Sequence, residues 1–241
     1  MAMTPLGVES LMGAPPGRSA ADDVYDAIRR AIIGGSLTPG ERVVEERVAN
    51  QLNVSRTPVR EALLRLEREN LVARSGRGMA VRSFSAAEVG DIYDLRAHVE
   101  SYGARLAAHR ITDQELRELR RVQDEMVAEL RREGSDELES LKRLTSLNQR
   151  FHLTVVRAAR SMPLERIMSH VVQTPLIYKS YLWYDEANKT RSAEEHEELI
   201  GHLAEGRAEA AERCWCEHIE AGRDILVDKL SSESAWQRSD G

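Results

Sequence analysis

Residues 54–82 read "VSRTPVREALLRLERENLVARSGRGMAVR". The stretch holds seven arginines and no lysine. Val59, Leu63 and Leu66 recur at helical spacing, which predicts a helix that starts near Ser55 or Thr57, runs to about Asn70 and packs that stripe inward. Two β-prone pieces follow, "LVARS" and "MAVRSF", joined through "GRG". The segment starts like a capped helix and finishes like a tight hairpin.

Working outward, Val24, Ile28, Ala31 and Ile32 recur at helical spacing from Asp22 on, and "GGSLTPGE" stops that run. A second short helix covers Glu45 to Leu52. The turn "QLNVS" leads into the arginine-rich helix, with Asn53 suited to the left-handed conformation a tight turn needs. Three short helices followed by a hairpin define a winged helix-turn-helix. Arg56 and Arg60 lie four apart at the start of the third helix, beside the hydroxyls of Ser55 and Thr57. That arrangement suits major-groove reading: arginine forks reach guanine O6/N7 or phosphate, and hydroxyls hold phosphates. The wing adds Arg74, Arg77 and Arg82. Gly76 and Gly78 let backbone approach backbone, and Arg77 at the tip is placed to enter the adjacent minor groove. The bland alternative is a solvated arginine-rich helix; the order of the elements favours DNA.

The charge distribution agrees. The chain has 241 residues and a formal net charge of −6. Residues 1–83 carry 12 Arg against 10 Asp+Glu, whereas the remainder carries 22 Lys+Arg against 30 Asp+Glu. A basic first part fits a polyanion, and an acidic remainder excludes nucleic acid wrapping over the whole protein. Cys214 and Cys216, the two cysteines, point roughly 200° apart on a helix and do not pair readily. No apolar run approaches the roughly 18 residues that span a bilayer, and no secretory signal is visible. A cytoplasmic protein, at the nucleoid when bound to DNA, is expected, with no membrane partner.

Residues 1–20 contain "GAPPGRSA" and predict a mobile tail. "SFSAAE" is a linker, with Ser85 as the next N-cap. From Ala86 on nearly everything is helical: segments 86–109, 113–132, 136–160, 163–184, 193–205 and 207–230, broken by "RITD", "REGSD", "SMP" and "AEGRAE". The expected fold is mainly α, a winged helix-turn-helix over 21–84 followed by an antiparallel all-helical bundle over 85–231, with 232–241 a polar, frayed tail.

Several of the seven histidines fall at suggestive positions. "NQRFH" puts Asn148 and His152 at i, i+4, the spacing for two ligands of one ion. His196 lies ten residues before Gly206 and His218 twelve after it. If a helical hairpin turns there, both sit about 15–18 Å from the turn. The alternative is a set of unrelated surface histidines. Arg96 shares an otherwise apolar face with Val89, Ile92, Val99, Gly103 and Leu106, so it either pairs with a buried acid such as Glu100 or faces a cavity, where it suits a carboxylate. His170 is given no role. "HEELIGH" looks like a zinc-protease helix, but its histidines are six apart and cannot chelate together. In "CWCEH", Cys214 and His218 share a face while Cys216 points away; packing thiols are the simpler reading, with a site that uses Cys214 as the alternative.

"VSRTPVREALLRLERENLV", with "YDAIRRAIIGGSLTPGERVVEERVANQLN" before it, closely resembles the DNA-binding signature of the GntR family of bacterial transcription regulators. "DIYDLRAHVESYGARLAA" and "EHEELIGHLAEGRAEAAERCWCEHI" are similar to the start and end of the FadR-type, or FCD, helical domain. The resemblance spans about residues 22–230. It implies operator contacts by residues such as Arg56, Thr57, Arg60 and the wing-tip glycine; Arg47, in "EER", is a further candidate for a second-helix arginine. It implies a homodimer on an inverted-repeat operator, and a metal held by Asn148, His152, His196 and His218. Asn148 departs from the Asp of many members, so the ion keeps its full charge and attracts a carboxylate. The expectation is a repressor, not an enzyme, that holds Zn, Ni or Mn and releases operator DNA when a small carboxylate binds near the metal and Arg96. The alternatives are a ligand-dependent activator, and a metal-dependent hydrolase with an appended DNA-binding domain, for which no general base is recognisable.

Overall fold

The computed structural model describes residues 19–33, 36–76, 78–132, 137–171 and 180–239. The tail expected over 1–20 falls almost wholly outside these residues, as do the wing tip at Arg77, the middle of the helix expected over 163–184 and the side chain of His170. The chain divides into two compact units, one built on residues up to Ser83 and one on residues from Phe84 onward.

In the first unit, α1 (Ala20–Ile33) and α2 (Glu45–Leu52) pack on α3 (Arg56–Arg68), which also meets a three-stranded antiparallel sheet of β1 (Arg42–Val43), β2 (Val72–Ser75) and β3 (Gly78–Val81), in the order β1-β3-β2. Val59, Ala62, Leu63 and Leu66 of α3 are buried against Val24, Ile28 and Ile32 of α1 and Leu52 of α2. The inward stripe therefore fixes which face of α3 stays outside. Asn53 ends α2 with φ 51°, the left-handed turn expected of it. The hairpin pairs Val72 with Val81 and Ser75 with Gly78. Strand β1 was not expected: two residues are too short to show an alternating pattern.

The second unit is an antiparallel helical bundle: α4 (Ala86–Arg110), α5 (Asp113–Leu130), α6 (Glu137–Ala158), α7 (Met162–Val171), α8 (Ser180–Trp183), α9 (Glu186–Ala204) and α10 (Ala208–Ser239). Ser85 and Thr112 each open a helix with a capping box, closed by Glu88 and Glu115. Helix α4 packs along α10, while α5 lies against α6 and α9. Between α9 and α10 the chain turns at Gly206, whose φ of 68° suits a residue without a Cβ.

Two expectations need correction. Helix α9 begins at Glu186, capped by Asp185, well before position 193, because an Asp N-cap outweighs the polar run "EANKTRS" that reads as a loop. Helix α10 continues to Ser239, so the segment from 232 is mostly helical, and polarity alone does not end a helix that has no breaker. Among the described residues no helix is long and apolar enough to cross a membrane.

The cap at Ser85 gives a direct test. Ser85→Ala removes the acceptor for the Glu88 amide, 3.2 Å away, and is expected to destabilise the helical unit by about 1 kcal/mol. Denaturant titration followed by circular dichroism measures it.

Candidate nucleic-acid interface and metal centre

Ser55 is the N-cap of α3, and its side chain makes no capping bond. Ser55, Arg56, Thr57 and Arg60 are all exposed, as is Arg47 on α2. Arg56 and Arg60 are drawn to one carboxylate at the start of α2. Nη2 of Arg56 donates to Glu45 Oε2 at 3.3 Å; Arg60 donates through Nη2 to Oε2 at 2.9 Å and through Nε to Oε1 at 3.1 Å. The bond from Arg60, against partial burial, holds the Glu45 carboxyl below its ordinary range. The two arginines thus form one preset fork rather than two loose side chains, although their side chains are more than half exposed, at 61% and 63%. At the wing, Gly76 has φ 60°, and a Cβ there would lie 3.2 Å from Nη2 of Arg42. Gly78 opens β3, across the hairpin from Ser75.

In the bundle, α6 supplies Asn148 and His152, α9 supplies His196 and α10 supplies His218. A nitrogen from each of the three imidazoles lies within 4.8 Å of the others. The ring centroids are 5.7 Å apart for His152 and His196, 5.4 Å for His152 and His218, and 4.8 Å for His196 and His218. Phe151 stacks on His196 at 4.0 Å, and Trp215 stacks on His218 at 4.5 Å.

The polar groups left unpaired show what the cluster suits. Both ring nitrogens of His196 and Oδ1 of Asn148 are buried and have no hydrogen-bond partner among the described residues. A buried imidazole with neither nitrogen satisfied is costly. A cation that accepts lone pairs from the three converging imidazoles removes the cost at His196, so this donor set fits a divalent transition metal. Burial, aided by the neighbouring histidines, lowers His196 well below its ordinary pKa, and burial brings His152 down to about 4 against the pull of Glu100. Both are therefore neutral at neutral pH, as ligands must be.

Behind two of the histidines stand carboxylates. Nδ1 of His152 meets Glu100 Oε2 at 2.7 Å, and Nδ1 of His218 meets Glu195 Oε2 at 2.7 Å. Each leaves Nε2 for the cluster, and carboxylates of this kind orient metal-binding imidazoles. The other oxygen of Glu100 accepts from Nε of Arg96 at 2.7 Å, with both side chains buried. Of the two readings of Arg96, the structure thus shows the paired one: a buried acid is its partner. Its guanidinium also lies 4.6 Å from the centre of the Tyr93 ring. Burial would raise the Glu100 carboxyl, but Arg96 and His152 outweigh it and bring it to about 2. Glu195 escaped the sequence reading because it sits in the acidic run "EEHEE". The available signal was Arg191, four residues before it, repeating the spacing of Arg96 and Glu100.

His202 of "HEELIGH" does not join His196. Instead it lies with Glu198 and Cys214 in a second group whose ligand atoms fall within 4.8 Å of one another. Cys214 and Cys216 are both free. Burial first, then Glu198, Glu195 and Glu217, push the Cys214 thiol up to about 12.

An exposed arginine fork on a winged helix, in a chain that also holds a helical unit with a buried cluster of ligand atoms, points to a DNA-binding regulator. Residues 20–81 match the family model described as bacterial regulatory proteins, gntR family, and residues 91–221 match the FCD domain. The chain is 31% identical over 191 residues to the Nta operon transcriptional regulator of Aminobacter aminovorans, covering 79% of this chain and 86% of that one. It is 26% identical to the HTH-type transcriptional repressor RspR of Escherichia coli, over 92% and 95% of the two chains. Among solved structures, a GntR regulator from Rhodococcus sp. RHA1 superposes with a TM-score of 0.72 at 26% identity, covering 87% of this chain and 98% of that one. The protein belongs to the GntR family of transcriptional regulators and is a DNA-binding regulator with an FCD domain.

On operator DNA, Arg56→Ala and Arg60→Ala should each weaken binding about 5- to 150-fold and relax discrimination at one base pair, the signature of a bidentate base contact. Glu45→Gln should act oppositely on random DNA, which it should bind more tightly, because the fork loses its internal anion. Gel-shift titrations on operator, single-base variants and random duplex read all three; undiminished affinity in both arginine variants would reject α3 as the reading helix.

Proposed function

We propose that the protein is a metabolite-responsive repressor. As a homodimer it holds an inverted-repeat operator through residues 21–84, and it lets go when a small carboxylate binds to a metal-containing domain over 85–231. It works in the cytoplasm, at the nucleoid while DNA-bound. Contacts to DNA fall to Ser55, Arg56, Thr57 and Arg60, with Arg47 and the wing residues Gly76, Arg77 and Gly78 completing the interface. The observation that carries the sensory half of this reading is the convergence of His152, His196 and His218 around partnerless buried donors. Asn148, His152, His196 and His218 would hold Zn, Ni or Mn. The repressor sense is supported by RspR, a relative described as a repressor.

Acid chemistry of the effector follows from charge. Three neutral imidazoles and a neutral amide leave the ion its full +2, so an anion is favoured at any further coordination position. When bound, the ion supplies an electrophilic anchor for a carboxylate and a neighbouring oxygen. Arg96 meets the far end of the acid with the Nη groups that its Glu100 bond does not use. Glu100 and Glu195 are each committed to an imidazole, so they orient ligands rather than activate water, which favours sensing over hydrolysis.

Binding that changes operator affinity by some factor must be changed by operator DNA by the same factor. Elemental analysis should find about one equivalent of metal per chain, lost in His196→Ala together with the thermal stabilisation a native-state ligand gives. Glu100→Gln should weaken metal binding about 10–100-fold. Calorimetry on metal-loaded protein should show a hydroxy- or keto-acid binding, abolished by chelation, weakened in Arg96→Lys, and weakened by operator DNA. Metal-free wild type from careful preparation would overturn the metal; equal acid binding after chelation would overturn its role in sensing.

A further inference from the structure

Two motifs that carry no role in the reading above meet in space. Glu198 and His202 lie four apart on α9, and Cys214 faces them from α10. One carboxylate oxygen, one imidazole nitrogen and the thiol sulfur lie within 4.8 Å of one another. We propose that Glu198, His202 and Cys214 form a second metal site, separate from the three-histidine cluster, that takes a zinc-type divalent ion.

The donor chemistry is specific. A thiolate, an imidazole and a carboxylate together suit zinc and its later first-row neighbours, whereas magnesium and calcium take oxygen alone. The pair at i, i+4 fixes two donors on one helical face, and the neighbouring helix supplies the third, which is how bundle metal sites are commonly built. Nδ1 of His202 is buried with no hydrogen-bond partner among the described residues, and its Nε2 has only a 3.3 Å contact to Glu198. Carboxylates of Glu195, Glu198 and Glu217 act on Cys214. Negative charge there opposes a free thiolate but favours a cation, and on binding the thiol proton leaves to solvent.

Placement suggests what the site does. The sulfur of Cys214 contacts the backbone carbonyl of Glu195 at 3.7 Å, and the carboxylate of that same residue holds His218. An ion at Cys214 therefore clamps α9 to α10 one step from a ligand of the first cluster. Occupancy of the second site stiffens the hairpin that carries His196 and His218.

Cobalt(II) distinguishes the sites, because only a thiolate ligand gives an intense near-ultraviolet sulfur-to-cobalt charge-transfer band. The first cluster contains no sulfur. Full-length protein carrying His196→Ala and Cys216→Ser, stripped of metal, should develop that band on cobalt addition, with one equivalent bound. Adding Cys214→Ser should abolish it, and zinc should displace it. Absence of the band, or its survival in Cys214→Ser, overturns the site. If Cys214→Ser fails to fold, Glu198→Gln replaces it. That side chain is 62% exposed, and the variant should weaken cobalt binding at least tenfold; unchanged affinity overturns the proposal. The outcome is independent of whether His152, His196 and His218 bind metal in the wild type.

Discussion

Glu100 has no exposed surface, yet it is ionised, and the cluster around it depends on how that charge is held. Its two oxygens divide the work: Arg96 meets one and His152 the other, each at 2.7 Å. An ionised carboxylate only accepts hydrogen bonds, so the Nδ1 of His152 must be the donor, which leaves Nε2 unprotonated and aimed at the cluster. Arginine sets the charge state of the glutamate, and the glutamate sets the tautomer of the histidine. The same order of residue types, without the arginine hydrogen bond, recurs on α9. Glu195 lies four residues after Arg191, 3.4 Å from its Nε, and takes Nδ1 of His218 on its other oxygen. Among the described residues His196 has no such partner, and it stacks on Phe151 instead.

The two chains are not equivalent energetically. Arg96 and Glu100 are both buried, at 5% and 0% side-chain exposure, whereas Arg191 and Glu195 sit at the edge, at 42% and 23%. Removing one partner of a buried pair strands the other charge and costs about 3–5 kcal/mol. Loss of Arg96 altogether therefore damages folding, and only a substitution that keeps the cation spares the pair. At the outer chain the two side chains are partly exposed, so solvent weakens the pair, although the Nε of Arg191 is itself buried and makes no hydrogen bond among the described residues.

Much of this was legible in the sequence, for identifiable reasons. Apolar periodicity marked α1 and α3, and Asn53 marked the turn, because local steric rules decide both. The depth arithmetic around Gly206 placed His196 and His218 together because a short helical hairpin has little freedom. Burial of Arg96 was legible from its stripe, and its partner Glu100 was one of two options named. Glu195 was not seen, since a carboxylate in a run of acids looks solvated until the neighbouring helix is placed over it. The meeting of His202 with Cys214 was hidden for the same reason: each motif was judged along its own helix, and the group forms only across two.

In the proposed DNA interface, the fork of Arg56 and Arg60 on Glu45 raises the question of whether an internal anion weakens recognition. Exposed ion pairs contribute little in water because solvent and salt already screen them. Exchanging Glu45 for a guanine edge or a phosphate therefore loses little, while the fork loses less side-chain freedom than two independent arginines would. The carboxylate acts differently on random DNA. There the only reward is the phosphate charge, which releases counterions but makes no bidentate base contact, and Glu45 repels that same phosphate. A carboxylate beside two arginines thus taxes the sequence-independent part of binding more than the sequence-dependent part. For a regulator that must find one site among many, that difference matters more than the affinity it gives up.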